Sequence, residues 1–120
     1  MKKPISVKEK LSLFNEQWKP RKIAELNGQQ VLLAKLQGEF IWHSHEHEDE
    51  LFYVVKGQLI IEFRDNKVVL NPGELYIIPK GVEHKPIAKE EVHVMLFEPL
   101  GIKHTGNIKS DRTVHEYEEI

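Results

Sequence analysis

Between Arg21 and Phe97 the sequence is a series of short apolar runs separated by residues that favour turns, and this pattern limits the fold more than any other feature. Asn27-Gly28 is the clearest turn, because this dipeptide is typical of a two-residue β-hairpin. Runs so short and closely spaced indicate about eight or nine strands of a sandwich or barrel, and not alternating helices and strands. The predicted strands are residues 23–26, 30–36, 51–55, 59–63, 68–70, 75–78, 82–88 and 92–97.

The run at residues 59–63 shows how such a strand divides its faces. Leu59, Ile61 and Phe63 alternate with their neighbours and are expected to face the core. Glu62 lies on the opposite, polar face. Ile60 is the apolar exception on that outer face.

The N-terminal segment has the pattern of one short helix over residues 6–14. Ser6 and Glu9 have the spacing of a capping box, in which each side chain can bond a free backbone N–H of the other. The apolar residues that would share one face of this helix are Val7, Leu11 and Phe14.

Composition narrows the class of protein. The chain has 120 residues and a mass of 14.1 kDa, which suits one domain with one core. A formal charge of −2 gives no basic surface for nucleic acid, and no apolar run approaches the roughly 20 residues that span a bilayer. The absence of cysteine excludes disulfides and thiolate ligands. We expect a cytoplasmic protein, since residues 1–10 also lack a secretory signal.

The chain is expected to be one domain over residues 1–120. An N-terminal helical arm occupies residues 1–20, a barrel residues 21–99 and a polar C-terminal tail residues 100–120. Val114 and Tyr117 are the apolar anchors expected in that tail.

Histidine is the unusual residue type, with three of the seven histidines in the five residues from His43 to His47. Histidines two residues apart on a strand point to the same face, and imidazole with a carboxylate is a good ligand set for divalent transition metals. Glu50 follows, and the turn Pro79-Lys80-Gly81 could bring His84 back to this group. A solvated acidic loop and a surface histidine are the alternatives. Alternation alone leaves open whether His43 and His45, or His45 and His47, form the pair.

The whole arrangement resembles the cupin superfamily. In its first motif, His43-Ser44-His45 is followed by four residues, Glu50, six residues and Gly57. The second motif is matched position for position by Gly73, Pro79, Gly81 and His84. Two positions depart from the family pattern, because Gly38 stands one residue closer to the first histidine and Ala88 replaces the terminal asparagine.

This resemblance implies a double-stranded β-helix, a jelly-roll barrel in which His43, His45, Glu50 and His84 converge on one divalent ion. The ion would be zinc, iron, manganese, nickel or copper, with positions left open for water or a small-molecule ligand. The spacing to Glu50 favours His43 over His47, which becomes a rim residue. Cupins commonly pair, so we expect a homodimer.

Residues 42–45 and 49–55 are also similar to small cupins related to mannose-6-phosphate isomerase. Three functions follow as hypotheses: a metal-dependent enzyme of isomerase or oxygenase type, a metal-holding binding or sensing module, and a metal-free structural barrel. Four intact ligand positions disfavour the barrel, and we favour the enzyme over the module. No acid or base is assigned. His93 is interpreted as structural, Trp42 as packing, and Glu46, Glu48 and Asp49 as solvated charges. Weak candidates for a substrate pocket are Phe52, Tyr53, Tyr76, Met95 and Phe97.

Overall fold

The computed structural model describes residues 3–100 and 117–120, and most of its regular structure is β-strand. Helix α1 spans Val7–Leu11. The strands are β1 (Arg21–Leu26), β2 (Gln29–Glu39), β3 (Glu50–Lys56), β4 (Leu59–Glu62), β5 (Lys67–Leu70), β6 (Leu75–Ile78), β7 (Lys85–Pro99) and β8 (Glu118–Glu119). The predicted all-β architecture with one short N-terminal helix is confirmed in the described residues.

Strand β7 organises the barrel. One of its edges pairs with β2, and the other pairs first with β4 and then with β3. Strand β5 adds to β4, and β6 adds to β3, while β1 pairs with β2 and in parallel with β8. The eight strands therefore form one continuous hydrogen-bonded sheet, which branches where β7 changes partner from β4 to β3 and closes around the interior cluster as the expected jelly roll.

The extent of β7 differs from the prediction. The sequence pattern predicts separate strands over residues 82–88 and 92–97, but β7 is one strand that begins at Lys85 and continues without a break to Pro99. The polar stretch Lys89-Glu90-Glu91 is a bulge, in which three residues lie opposite Gln37 of β2. A bulge leaves polar side chains in solvent while strand pairing continues on both sides.

The β1–β2 hairpin follows its local sequence closely. Asn27 and Gly28 have φ values of 50° and 73°, and two successive positive values are what a two-residue hairpin of this twist requires. Helix α1 is shorter than predicted. The Ser6 side chain accepts from the Glu9 N–H as expected, but the helix ends at Leu11, where the Ser12 hydroxyl donates to the Glu9 carbonyl. No helix in the described part of the chain is long and apolar enough to cross a membrane.

Two apolar clusters stabilise this architecture. The barrel interior is the larger, and its members without exposed surface include Val54, Leu59, Ile61, Val92 and Val94. The smaller cluster lies between the N-terminal segment and the outside of the barrel and contains Leu11, Phe14, Ile23 and Leu33. Leu59, Ile61 and Phe63 are all buried as predicted, whereas Ile60 is half-buried.

Most of the predicted tail, Val114 included, lies outside the described residues. Tyr117 packs against the interior cluster, and β8 follows it along the edge of β1.

Candidate metal centre

Backbone pairing places His43 beside His84. The two residues form an isolated antiparallel bridge, in which the N–H of each donates to the carbonyl of the other, at 3.0 Å from His43 and 2.9 Å from His84. Residues directly opposite in such a bridge point to the same face. Their ring centroids are 4.3 Å apart, and both side chains lie inside the barrel.

The turn at residues 79–81 lies against the segment that carries His45 and Glu50. The Gly81 N–H donates to the His45 carbonyl at 2.7 Å, and the Lys80 N–H donates to Asp49 Oδ1 at 2.9 Å. Asp49, interpreted from the sequence as a solvated charge, is exposed but also fastens this turn. Glu50 then begins β3 at an inward-facing position. The turn therefore joins the segment of His45 and Glu50 to the segment of His84.

The four predicted ligand residues come together at one point. One donor atom from each of His43, His45, Glu50 and His84 lies within 4.8 Å of all the others. Glu50 is central, with Oε2 at 3.4 Å from His45 Nε2 and Oε1 at 3.3 Å from His84 Nε2. With metal–nitrogen bonds of about 2.1 Å, ligand atoms around one ion lie roughly 3–4 Å apart. A modest contraction of this group would suit a transition metal.

Hydrogen bonds outside the group orient two of the rings. His43 Nδ1 donates to the Ile41 carbonyl at 2.9 Å, and His84 Nδ1 donates to the Val82 carbonyl at 3.0 Å. Because a carbonyl can only accept, Nδ1 carries the proton and Nε2 keeps its lone pair for the interior.

The inward atoms fit a cation. Among the described residues, His45 Nε2, Glu50 Oε1 and His84 Nε2 are buried without a well-formed hydrogen bond. Buried polar atoms of this kind cost free energy unless a partner satisfies them. All three can act as electron-pair donors, so a positive ion between them would satisfy the group at once.

Protonation within the group also suits an ion. Burial, followed by the neighbouring His84, lowers the pKa of His43 to about 4, so this ring is neutral near pH 7. Burial alone would raise the pKa of Glu50, but His45 and His84 outweigh it and hold that pKa well below its ordinary value. Burial opposes protonation of His45, yet Glu50 and then Glu48 raise its pKa above the usual value. An ion would replace the positive charge that Glu50 otherwise draws onto His45.

The third histidine of the run takes no part. The side chain of His47 is 78% exposed, and Nε2 lies 3.7 Å from a carboxylate oxygen of Glu46. Strand alternation fails here because no strand continues beyond the bridge at His43. Of the remaining acidic neighbours, Glu48 is half-buried.

Glu98 is an interior residue that the sequence reasoning did not single out. It is 2% exposed, and neither carboxylate oxygen has a hydrogen-bond partner among the described residues. Burial and then the nearby Glu50 raise the pKa of Glu98 well above its ordinary value. The signal was present in β7, where every second residue from Val92 onward faces inward and Glu98 continues that alternation.

A small cavity opens beside the cluster, next to His43 and Glu50. The rest of its lining is apolar and includes Trp18, Pro20, Ala34, Leu36, Phe40 and Leu96. The space that the centre of a water molecule could occupy in this cavity is about 30 Å³.

Phe52 is the one weak pocket candidate that lines this cavity. The ring of Tyr76 packs near Phe63 at 5.9 Å, and Tyr53, Met95 and Phe97 occupy the outward positions of their strands.

The contacts of His93 and Trp42 agree with their interpretation as structural and packing residues. His93 lies on an outward position of β7, where Nε2 is 3.0 Å from Glu91 Oε1. The ring of Trp42 lies under the Arg64 guanidinium at 3.9 Å and contributes nothing to the cavity lining.

Comparison with known proteins agrees with this fold. Residues 30–99 match the cupin domain family, and the chain belongs to the cupins. The uncharacterised protein YdbB of Bacillus subtilis strain 168 is 41% identical over 80 residues, which are 66% of this chain and 65% of that protein. The chain thus spans somewhat less than two thirds of the length of this curated relative.

Two solved structures are similar over most of their length. A cupin-2 domain protein of Shewanella frigidimarina is 55% identical with a TM-score of 0.79, covering 79% of this chain and 93% of that one. Protein NMB1881 of Neisseria meningitidis is 31% identical with a TM-score of 0.74, covering 81% and 99%.

Proposed function

We propose that the chain binds one divalent transition metal ion through His43, His45, Glu50 and His84. One observation carries this proposal: four buried donor atoms meet within 4.8 Å, and three of their side chains have an inward atom without a hydrogen bond among the described residues. Three imidazoles and one carboxylate suit zinc, iron, manganese, nickel or copper.

The metal-binding site is proposed to serve an enzyme that acts on a small molecule. A bound ion would polarise a substrate oxygen or, if redox-active, support chemistry with dioxygen. The protein contributes a cavity that contacts His43 and Glu50 and whose remaining walls are apolar, so a ligand there would be shielded from water.

A non-catalytic binding or sensing module is the second candidate function. It is favoured by the cavity lining, in which His43 and Glu50 are the only titratable residues among those described. Both are proposed metal ligands, so neither is free to serve as a general acid or base. Turnover with a small-molecule substrate would decide for the enzyme.

A relationship to the small cupins that are related to mannose-6-phosphate isomerase is also proposed, supported by residues 42–45 and 49–55. This kinship concerns ancestry and does not assign the isomerase reaction. Within the described residues, no lysine or arginine lines the cavity, so a phosphosugar would have no cationic partner there.

The protein is proposed to be a homodimer. Its proposed location is the cytoplasm. Leu75 and Ile77 of β6 are 54% and 52% exposed, and Val69 of β5 is 44% exposed. Exposed apolar side chains on edge strands favour contact with a second copy. Sedimentation at micromolar concentration tests this, and a monomer would overturn it.

Elemental analysis of protein purified without a histidine tag tests the metal itself. We expect about one equivalent of a transition metal per chain. A redox-active metal would favour oxygen chemistry, and zinc would favour an isomerase or another Lewis-acid role. Protein that binds no added transition metal at stoichiometric level would contradict the proposal.

A further inference from the structure

One wall of the cavity comes from outside the barrel strands. Trp18 lies between α1 and β1, and its ring stacks on Phe40 with centroids 4.7 Å apart and planes 6° apart. Both rings line the cavity that also contacts His43 and Glu50. Trp18 thereby brings the N-terminal segment to the same space as the proposed metal ligands.

Hydrogen bonds hold Trp18 in place at its backbone and at its ring. The backbone N–H donates to the Lys35 carbonyl at 2.9 Å, and the indole Nε1 donates to the Gln37 carbonyl at 2.9 Å. The preceding Gln17 donates through Nε2 to the side chains of Gln37 and Glu91. The ring is therefore an ordered wall of the cavity.

The backbone of Trp18 has a conformation that bulky residues rarely adopt. Its φ is 63°, in the left-handed region that glycine enters without strain. Such strain persists only where surrounding contacts hold it, and it is concentrated at ligand clamps and active sites. A large aromatic residue at a glycine-like position beside a donor cluster points to a role for the ring itself.

We propose that Trp18 determines ligand specificity at the metal site, and that the site takes a small ligand with a short apolar body and an oxygen-bearing head. The head would face His43 and Glu50, and the body would contact Trp18 and Phe40. This inference rests on the proposed metal-binding function, because the head needs an ion to bind.

The cavity walls select an apolar body. Apart from His43 and Glu50, the described lining residues are aromatic, aliphatic or proline, and none is Ser, Thr, Asn, Gln, Lys or Arg. A hydroxyl or phosphate placed there would lose its hydrogen bonds to water without gaining any from these walls. A hydrocarbon group loses nothing comparable.

The cavity volume limits the size of that body. The space available to the centres of water-sized spheres is about 30 Å³. One water needs roughly 10–15 Å³ on this measure, so the body would comprise only a few carbon atoms. Because Trp18 forms one side of the space, its ring sets this limit.

Three hydroxamates test both features, since they share one chelating head and differ in their bodies. Propionohydroxamate and glycolohydroxamate have the same number of heavy atoms but end in a methyl or a hydroxyl group, and benzohydroxamate carries a larger ring. Untagged protein is loaded with Co²⁺, whose stoichiometry is measured first. Each probe is then titrated and followed by the visible absorption of the ion.

The choice of variants separates a specificity role from a structural one. Trp18→Gly removes the ring and suits the positive φ, and Trp18→Phe keeps a smaller ring if the glycine variant fails to fold. Trp42→Ala is the matched control. Trp42 is a second tryptophan near the cluster, but its ring lies under Arg64 and does not line the cavity. Loss of stability alone would leave the relative affinities of the probes unchanged.

For the unmodified protein we expect propionohydroxamate to bind about tenfold or more tightly than glycolohydroxamate, because burying an unpaired hydroxyl is costly. Trp18→Gly should improve the affinity for benzohydroxamate relative to propionohydroxamate by about tenfold, Trp18→Phe by less, and Trp42→Ala not at all. Protein that does not bind Co²⁺ would overturn the metal site and this inference together. Stoichiometric Co²⁺ with no methyl preference, or with the same size preference in the Trp18 variants, would overturn this inference alone.

Discussion

Along the β3–β7 pair, the inward-facing residues are aliphatic at one end of the barrel and carboxylic at the other. Val54 pairs with Val94 at the aliphatic end, and Glu50 and Glu98 occupy the carboxylic end. The pair Phe52 and Leu96, which lines the cavity, lies between them. Apolar burial contributes roughly 25 cal/mol per Å² to stability, whereas a buried carboxylate costs free energy unless it is partnered. The contrast separates the end of the barrel that stabilises the fold from the end that is specialised for binding.

Shortening a side chain at the aliphatic end should give the largest change in stability. Leu59 is fully buried, so Leu59→Ala is expected to lower the free energy of unfolding by about 2–5 kcal/mol, measured by urea denaturation, with metal stoichiometry unchanged. Leu13 is 59% exposed, and Leu13→Ala should change stability by no more than about 0.5 kcal/mol. Equal losses in the two variants would remove the distinction between the barrel interior and the surface.

Metal should stabilise the protein from the carboxylic end. At a free Zn²⁺ concentration about 100-fold above its Kd, the free energy of unfolding should rise by about 2.7 kcal/mol, and His84→Ala should abolish that increment. The comparison uses thermal or urea unfolding of chelator-treated protein with and without Zn²⁺. An equal increment in the alanine variant would place the stabilising ion elsewhere.

The increase in the free energy of unfolding that Zn²⁺ produces should become smaller as the pH falls. Ligand imidazoles must be neutral, and an unperturbed histidine has a pKa of about 6.5. In the ion-free protein burial opposes protonation of His45, but Glu50 raises its pKa above the usual value, so protons compete at this ring at a higher pH than at an ordinary histidine. His43, with its pKa lowered to about 4, stays neutral to lower pH. The increment should be complete at alkaline pH and weaken as pH falls through the pKa of His45. A constant increment down to about pH 5 would contradict a histidine-rich site.

A smaller effect is expected at Glu98. Its folded-state pKa is raised, so the folded protein binds this proton more tightly than the unfolded chain, and stability is lost as pH rises towards that pKa. Glu98→Gln removes this loss. In the ion-free protein the variant should be more stable than the original at pH values above the unfolded pKa, with a difference that shrinks in acid. Glu90→Gln, an exposed change on the β7 bulge, should show no such trend.

Features that depend on residues near each other in sequence were predicted well. The dipeptide Asn27-Gly28 fixes its own turn through two positive φ values, and alternation identified the buried face of residues 59–63. The four cluster residues were found because their spacing resembles two cupin motifs, one from His43 to Gly57 and the other from Gly73 to His84.

Features that depend on distant strands were not predicted. The polar stretch Lys89-Glu90-Glu91 reads as a turn until Gln37 is known to lie opposite it. Trp18 was missed because nothing near it in sequence indicates that it meets Phe40 in the barrel. Glu98 could have been found by continuing the alternation of β7, but its proximity to Glu50 follows only from the pairing of β3 with β7.

The central claim is that His43, His45, Glu50 and His84 form the metal site and that His47 lies outside it. Metal stoichiometry of untagged protein, measured by elemental analysis after dialysis against Zn²⁺ and then metal-free buffer, tests it most directly. We expect about one ion per chain in the original protein and in His47→Ala, and strongly reduced occupancy in His43→Ala, His45→Ala and His84→Ala, because each loses a direct ligand. Retention of the ion by His43→Ala together with its loss from His47→Ala would contradict the account and move the histidine pair by two residues.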